Sequence, residues 1–166
     1  MTAASGWLNT TLRDNLLASD RIAIERMVRE CGYFREEEAQ VALELVDDRL
    51  AKGESSEYRF LIASNAGQVA GFCCYGKIAC TVHSYDVYWV VVDLRVRRSG
   101  VGRTLMTAAE ERIRRLGGRR VYVETSGQPQ YEPTRRFYES CRYRAESVLK
   151  DFYAPDDDRI TYVKAL

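Results

Sequence analysis

Eight consecutive residues, Arg97, Arg98, Ser99, Gly100, Val101, Gly102, Arg103 and Thr104, combine two closely spaced glycines with three arginines. An apolar run over 88–92 precedes them and an amphipathic run over 105–116 follows. A strand, a glycine-bearing turn and a helix start make an anion site. The first turn of a helix has unpaired backbone N–H groups, and its dipole favours negative charge. Glycines let an anion approach those groups closely. The simplest ligand for such a place is a pyrophosphate, although an ordinary tight turn before a surface helix would use the same glycines. The segment lacks G-x-x-x-x-G-K-[ST], so it is not a P-loop. It also lacks the third glycine of G-x-G-x-x-G, which argues against a dinucleotide fingerprint.

Arg-x-x-Gly-x-Gly after a Val-Val-Val strand resembles motif A of the GNAT superfamily, the acyl-CoA-dependent N-acetyltransferases. Downstream, Tyr131-Glu132-Pro133-Thr134-Arg135-Arg136-Phe137-Tyr138-Glu139-Ser140-Cys141-Arg142-Tyr143 is similar to that family's motif B helix, which carries a Phe/Leu-Tyr pair. Arg142-Tyr143 stands where the family usually has Gly-Phe, and Tyr131 stands where it often has Asn. The resemblance covers roughly residues 58–166. It implies acetyl-CoA as cofactor and an amine of a small molecule, amino acid or peptide as acceptor.

Amide formation from a thioester and an amine needs a held cofactor, a deprotonated amine, a donor for the oxyanion and a proton for the leaving thiolate. By resemblance, the backbones of Val90, Val91 and Val92 would pair with the pantetheine arm, and residues 97–104 would wrap the pyrophosphate. Tyr138 would protonate the thiolate. Two carboxylates compete for the base. Glu124 lies near the end of a strand leading into the 127–131 loop and is preferred. Asp86, flanked by Tyr85, Tyr88 and Trp89, is the alternative, and partial burial there would raise its pKa. Members of the family also work through water alone. Family practice places the acceptor near Tyr33 and Phe34, residues 81–85 including Tyr85, and the loop ending at Tyr131. A non-catalytic CoA-binding sensor or scaffold is the competing reading.

These residues need elements to position them. A short strand or a loop is expected over 7–15. Ser19 and Asp20 read as caps for a helix over 22–30, with Ile22, Ile24, Met27 and Val28 sharing a face. A second helix is expected over 36–52, with Val41, Leu45 and Val46 apolar and Gly53 ending it. Residues 59–64 and 68–75 read as a hairpin around Asn65-Ala66-Gly67. A long strand follows over 85–96, then a helix over 101–116, a strand over 121–125, and a short helix from Pro133 to Ser140. Residues 143–153 and 159–166 read as a closing antiparallel pair. The expectation is an α/β fold, residues 1–166 as one domain. It would be a mixed, mostly antiparallel twisted sheet of six to seven strands, flanked by about four helices and splayed at its two central strands.

Bulk composition bounds the rest. The 166 residues carry a formal net charge of +1. Charge is unevenly spread: residues 95–120 hold nine Arg against two Glu, and residues 36–57 hold eight acidic against two basic residues. The basic segment suits an anionic cofactor, while the acidic one suits a solvated helix face or a cationic substrate. No recognition motif accompanies the arginines, so nucleic acid is not an expected partner. Five cysteines at no zinc-ligand spacing read as reduced, mostly buried thiols in a cytoplasmic protein. With His83 alone and no ligand-spaced acidic cluster, no metal is expected. No signal peptide or membrane span is read. A homodimer remains open.

Overall fold

The structure, a computed structural model, describes residues 10–166. Seven strands and four α-helices follow one another as β1 (Thr11–Arg13), α1 (Asp20–Glu30), α2 (Glu36–Lys52), β2 (Arg59–Asn65), β3 (Gln68–Lys77), β4 (Ser84–Val92), α3 (Val101–Arg115), β5 (Arg120–Ser126), α4 (Glu132–Ser140), β6 (Arg144–Ala154) and β7 (Asp157–Ala165). The strands hydrogen-bond in the order β1-β2-β3-β4-β5-β7-β6. β4 and β5, joined through α3, are parallel, and the other pairs described are antiparallel. Of the strand-or-loop expectation over 7–15, residues 7–9 lie outside the described residues. Two compact units emerge: the described residues through Gly76 with Trp89–Ala109, and Lys77–Tyr88 with Glu110–Leu166.

In the first unit, α1 buries Ile24, Met27, Val28 and the following Cys31, one helical stripe. Ile22 is 76% exposed, contrary to the expectation, because two residues of helix turn it away from Ile24. The cap also differs. Ser19 makes no side-chain cap bond, and Asp20 is the first helical residue. Its buried carboxylate accepts from Leu17 N (2.8 Å) and pairs with Arg13 on β1. In α2 the buried face is Ala39, Ala42, Leu43 and Val46, so Val41 points outward instead of inward. Glu38 reaches back to Arg35 N (2.8 Å) and fixes the start of α2. Ala66 (φ +48°) and Gly67 (φ +79°) are both left-handed and make the tight β2–β3 turn.

The strand expected over 85–96 stops at Val92. Asp93 accepts from Arg95 N (2.9 Å) and caps a 3-10 turn, Leu94–Val96, that replaces the last strand residues. At Gly71 on β3, a Cβ would sit 2.7 Å from the Val91 carbonyl oxygen, so only a glycine lets the end of β4 lie this close.

In the second unit, the parallel ladder pairs Ser84, Tyr85 and Asp86 with Arg120, Val121 and Tyr122. Tyr85 packs beneath Gly118, where a Cβ would lie 2.8 Å from the Tyr85 ring. β6 is the sheet's edge and is exposed along nearly its whole length, Val148 and Phe152 included. All five cysteines are free thiols; Cys31, Cys73, Cys74 and Cys141 are buried and Cys80 is exposed.

Candidate active site

The loop expected to hold a pyrophosphate is built from the end of β4 and the start of α3. Ser99 closes the turn, donating from both N (3.3 Å) and Oγ (2.6 Å) to the Val96 carbonyl. Arg98 (φ +63°) and Gly100 (φ +89°) are left-handed, and Gly100 has nothing within 4 Å of where its Cβ would be. The first helical bond of α3 runs from Thr104 N to the Gly100 carbonyl (3.0 Å), with the Thr104 hydroxyl on the same oxygen (3.2 Å). The amides of Val101 and Gly102 precede that bond and belong to the donor-rich first turn. Open space at Gly100, first-turn amides and the exposed Arg98 and Arg103 form a donor set that fits a pyrophosphate. Immediately upstream, Val91 is buried while Val90 and Val92 are half-buried, so this stretch of β4 offers mainly its backbone.

Arg97 is directed elsewhere. Its Nη2 donates to the Cys31 carbonyl at the end of α1 (3.2 Å), and its guanidinium lies 5.4 Å from the centre of the Tyr33 ring. Asp93 anchors the same region. Its carboxylate, 1% exposed, accepts from Arg26 Nη2 on α1 (2.6 Å) and from Arg95 Nη2 (2.7 Å) and Nε (2.9 Å). The Arg95 and Arg26 hydrogen bonds hold its pKa well below the usual carboxylate range.

In the second unit, Asp86 on β4 pairs in register with Tyr122 on β5, and Glu124 follows two residues later on the same face. Asp86 is half-buried. Burial first, and the Glu124 charge second, push its pKa up to about 6, against an opposing pull from Arg159. Glu124 is more exposed and takes an ion pair from Arg159 Nη1 at 3.5 Å. Arg159 itself stacks 4.1 Å over the Phe152 ring. Tyr85 points to the other face of β4, where it is buried.

Tyr138 is buried on α4. Its ring lies against Phe137, Tyr143 and Tyr162, with centroids 5.6, 6.1 and 5.9 Å away. α4 is fastened to the end of β5 by Arg135, whose Nη1 donates to the carbonyls of Ser126 (2.8 Å) and Gln128 (3.0 Å). The β6–β7 turn holds the loop leading to Tyr131. Ser126 Oγ donates to Asp157 (2.5 Å), Gln128 Nε2 to the Asp156 carbonyl (2.6 Å), and Gly127 N to the Asp158 carbonyl (2.8 Å).

The structure thus gathers Arg98 to Thr104 at one helix start and Asp86 with Glu124 on one sheet face, while Tyr33 and Arg97 meet each other. Asp93, Arg26 and Arg159 escaped the sequence reading because each has a partner distant in the chain, and Arg135 because it bonds backbone carbonyls, which no side-chain pattern marks. For Asp93, a lone acid between Val92 and an Arg-rich segment was the available signal.

The sequence matches a family model described as the acetyltransferase (GNAT) family over residues 21–143. No curated protein matches it. A GNAT-family protein of Desulfovibrio desulfuricans is 41% identical, with a TM-score of 0.91 over 94% of this chain and 98% of that one. An aminoglycoside 6'-N-acetyltransferase complexed with coenzyme A is 17% identical, with a TM-score of 0.78 over 93% and 96%. yncA of Salmonella typhimurium, solved with acetyl-CoA, is 18% identical, with a TM-score of 0.73 over 95% and 94%. The last two likenesses are of fold. Among the described residues no helix is long and apolar enough to cross a membrane.

Proposed function

The chain belongs to the acetyltransferase (GNAT) family, and from that premise we propose that it transfers an acetyl group from acetyl-CoA to a primary amine. Acetyl-CoA supplies the acetyl group in activated form, as a thioester. The first-turn amides of α3, with Arg98 and Arg103, hold its pyrophosphate, and the backbone of Val90 to Val92 aligns its pantetheine arm. Asp86 removes the ammonium proton. A carboxylate with a pKa of about 6 is ionised at neutral pH and yet basic enough to share a proton with water leading to the amine. The donor-rich start of α3, with open space at Gly100, is the observation that carries the reading. The raised pKa favours Asp86 over Glu124, whose charge is offset by Arg159. Tyr138 holds a phenolic proton at Oη for the leaving sulfur. The acceptor is a small amine, an amino acid or a peptide terminus, and the resemblance to the family supplies Tyr33, Phe34 and Tyr131 as its candidate contacts.

An acetyl-CoA turnover screen tests this, run over amines, amino acids, polyamines and peptide N-termini and read as thiol released. Turnover with at least one class is expected. CoA binding without turnover on any of them would make the chain a CoA-binding sensor or scaffold instead.

A further inference from the structure

Three charged side chains share one face of the sheet in the second unit. Asp86 on β4 and Glu124 on β5 supply two carboxylates, and Arg159 on β7 supplies a guanidinium. β7 pairs with β5 so that Thr161 lies opposite Glu124 and Arg159 opposite Ser126, one alternation further along the same face. The unit's helices take the other face, where Tyr162 donates to Glu139 of α4 (3.1 Å) and Lys164 to Glu110 of α3 (2.6 Å). Burial, then the Glu124 charge, raise the Asp86 pKa against the pull of Arg159, so the three charges act on one another. The donors of Arg159 are not used up. Nη1 meets Glu124 at 3.5 Å, longer than a close charge-assisted bond. Nε is buried and finds no hydrogen-bond partner among the described residues, a costly state for a donor. The Phe152 ring 4.1 Å away takes up a face of the guanidinium and leaves its in-plane N–H groups to an acceptor. Phe152 is half exposed on the edge strand β6, so its ring can shift to admit one.

Two acids and one base are the complement of an ammonium and a carboxylate carried by one molecule. A polyamine would satisfy the acids but bring a second cation towards Arg159. A simple amine or a peptide N-terminus would leave the Arg159 Nε without an acceptor. We propose that the acceptor is an amine bearing its own carboxylate, a free amino acid in the simplest case, and that Arg159 is the specificity-determining residue that clamps the carboxylate. The ammonium faces Asp86 and Glu124, and the carboxylate lies along the Nε edge of Arg159, whose planar fork matches two oxygens. The proposal rests on the acetyl-transfer reading above and adds the class of the acceptor. Transfer forms the N–C bond and breaks the C–S bond, giving an N-acetyl amino acid, CoA thiol and a proton.

The test uses the full chain, acetyl-CoA and matched sets of acceptors: each common amino acid, its α-carboxamide and its decarboxylated amine. Rates are read as thiol released at about pH 8.5, above the acidic limb, so that losing the pull of Arg159 on Asp86 does not disguise the result. In the wild type, kcat/KM for at least one amino acid exceeds that for its amide and its decarboxylated amine by about tenfold or more. Arg159→Gln erases that preference, chiefly by raising KM for the amino acid, and Arg159→Lys retains part of it. The proposal is overturned, with acetyl transfer intact, if the wild type uses the amides or decarboxylated amines as well as the acids. It is equally overturned if Arg159→Gln lowers all three members of a set alike, which would make Arg159 a support for Glu124. Turnover of no acceptor in any set, with CoA binding seen by calorimetry, takes down the acetyl-transfer reading and the clamp together.

Discussion

Arg26 of α1 reaches 67 residues along the chain to Asp93, meeting its buried carboxylate at 2.6 Å. The contact ties the first helix to the residue where β4 turns into the glycine-bearing loop before α3. Asp93→Asn weakens two arginine contacts and the cap of the 3-10 turn together, so it should cost about 1–3 kcal/mol in urea unfolding near pH 7. The folded pKa of Asp93 is depressed, so its contribution is present above the unfolded value of about 4 and fades as pH falls below it. The wild type and Asp93→Asn should therefore converge in stability at the acid end. A constant difference across the pH range would show that the charge is irrelevant.

Asp86 has the opposite sign. Its folded pKa is raised, so ionisation opposes folding, and the penalty grows as pH climbs from about 4 through about 6. Asp86→Asn should gain on the order of 1 kcal/mol at pH 8, allowing for its partial exposure, and nothing near pH 3.5. Thermal melts at the two pH values decide it.

In kcat/KM, the ascending acidic limb should have its midpoint near the Asp86 pKa of about 6. Asp86→Asn should remove the limb along with most activity. Glu124→Gln should shift it to lower pH, because the Glu124 charge helps to raise the Asp86 pKa. If Glu124→Gln removes the limb and Asp86→Asn leaves it, the two roles are exchanged. If neither moves it, water or prior deprotonation does the work.

Tyr138→Phe should lower turnover by roughly 10²-fold with CoA affinity nearly intact, the size of a lost general acid. The aromatic neighbours keep the ring in place, so stability should change little. Unchanged turnover would leave Tyr138 a packing residue.

CoA should raise the melting temperature of the wild type by mass action. Gly102→Asp should erase the shift by placing a carboxylate at the first turn of α3. Gly71→Ala tests the neighbouring strand. Its Cβ would press on the Val91 carbonyl from 2.7 Å, costing about 1–3 kcal/mol of stability and weakening CoA through displaced β4 backbone. Full CoA affinity in a destabilised Gly71→Ala would separate the Val91 backbone from cofactor binding.

Most elements were legible because their signals are local. Glu36–Lys52 could be bounded at its end from Gly53, and the hairpin turn from Asn65-Ala66-Gly67. Burial was harder to read. Ile22 and Val41 are apolar but face outward, since the buried stripes use the smaller Ala39 and Ala42 and the neighbours of Ile24. Val96 prolonged an apolar run past the true end of β4, because the bend is set by Asp93 and its arginine partners rather than by a glycine or proline. The turn at Gly100 and the helix carrying Tyr138 were visible in the sequence because each lies in a motif. The unequal standing of Asp86 and Glu124 was not, because Arg159 comes from a strand that pairs with β5 only in the fold.

Four of the five thiols are sealed in the interior, and only Cys80 meets solvent. The native protein therefore carries a ready-made attachment point for a single maleimide dye, with no cysteine needing to be removed first. Because unfolding uncovers the other four, labelling stoichiometry doubles as a gauge of foldedness: one dye per intact chain, five per unfolded one.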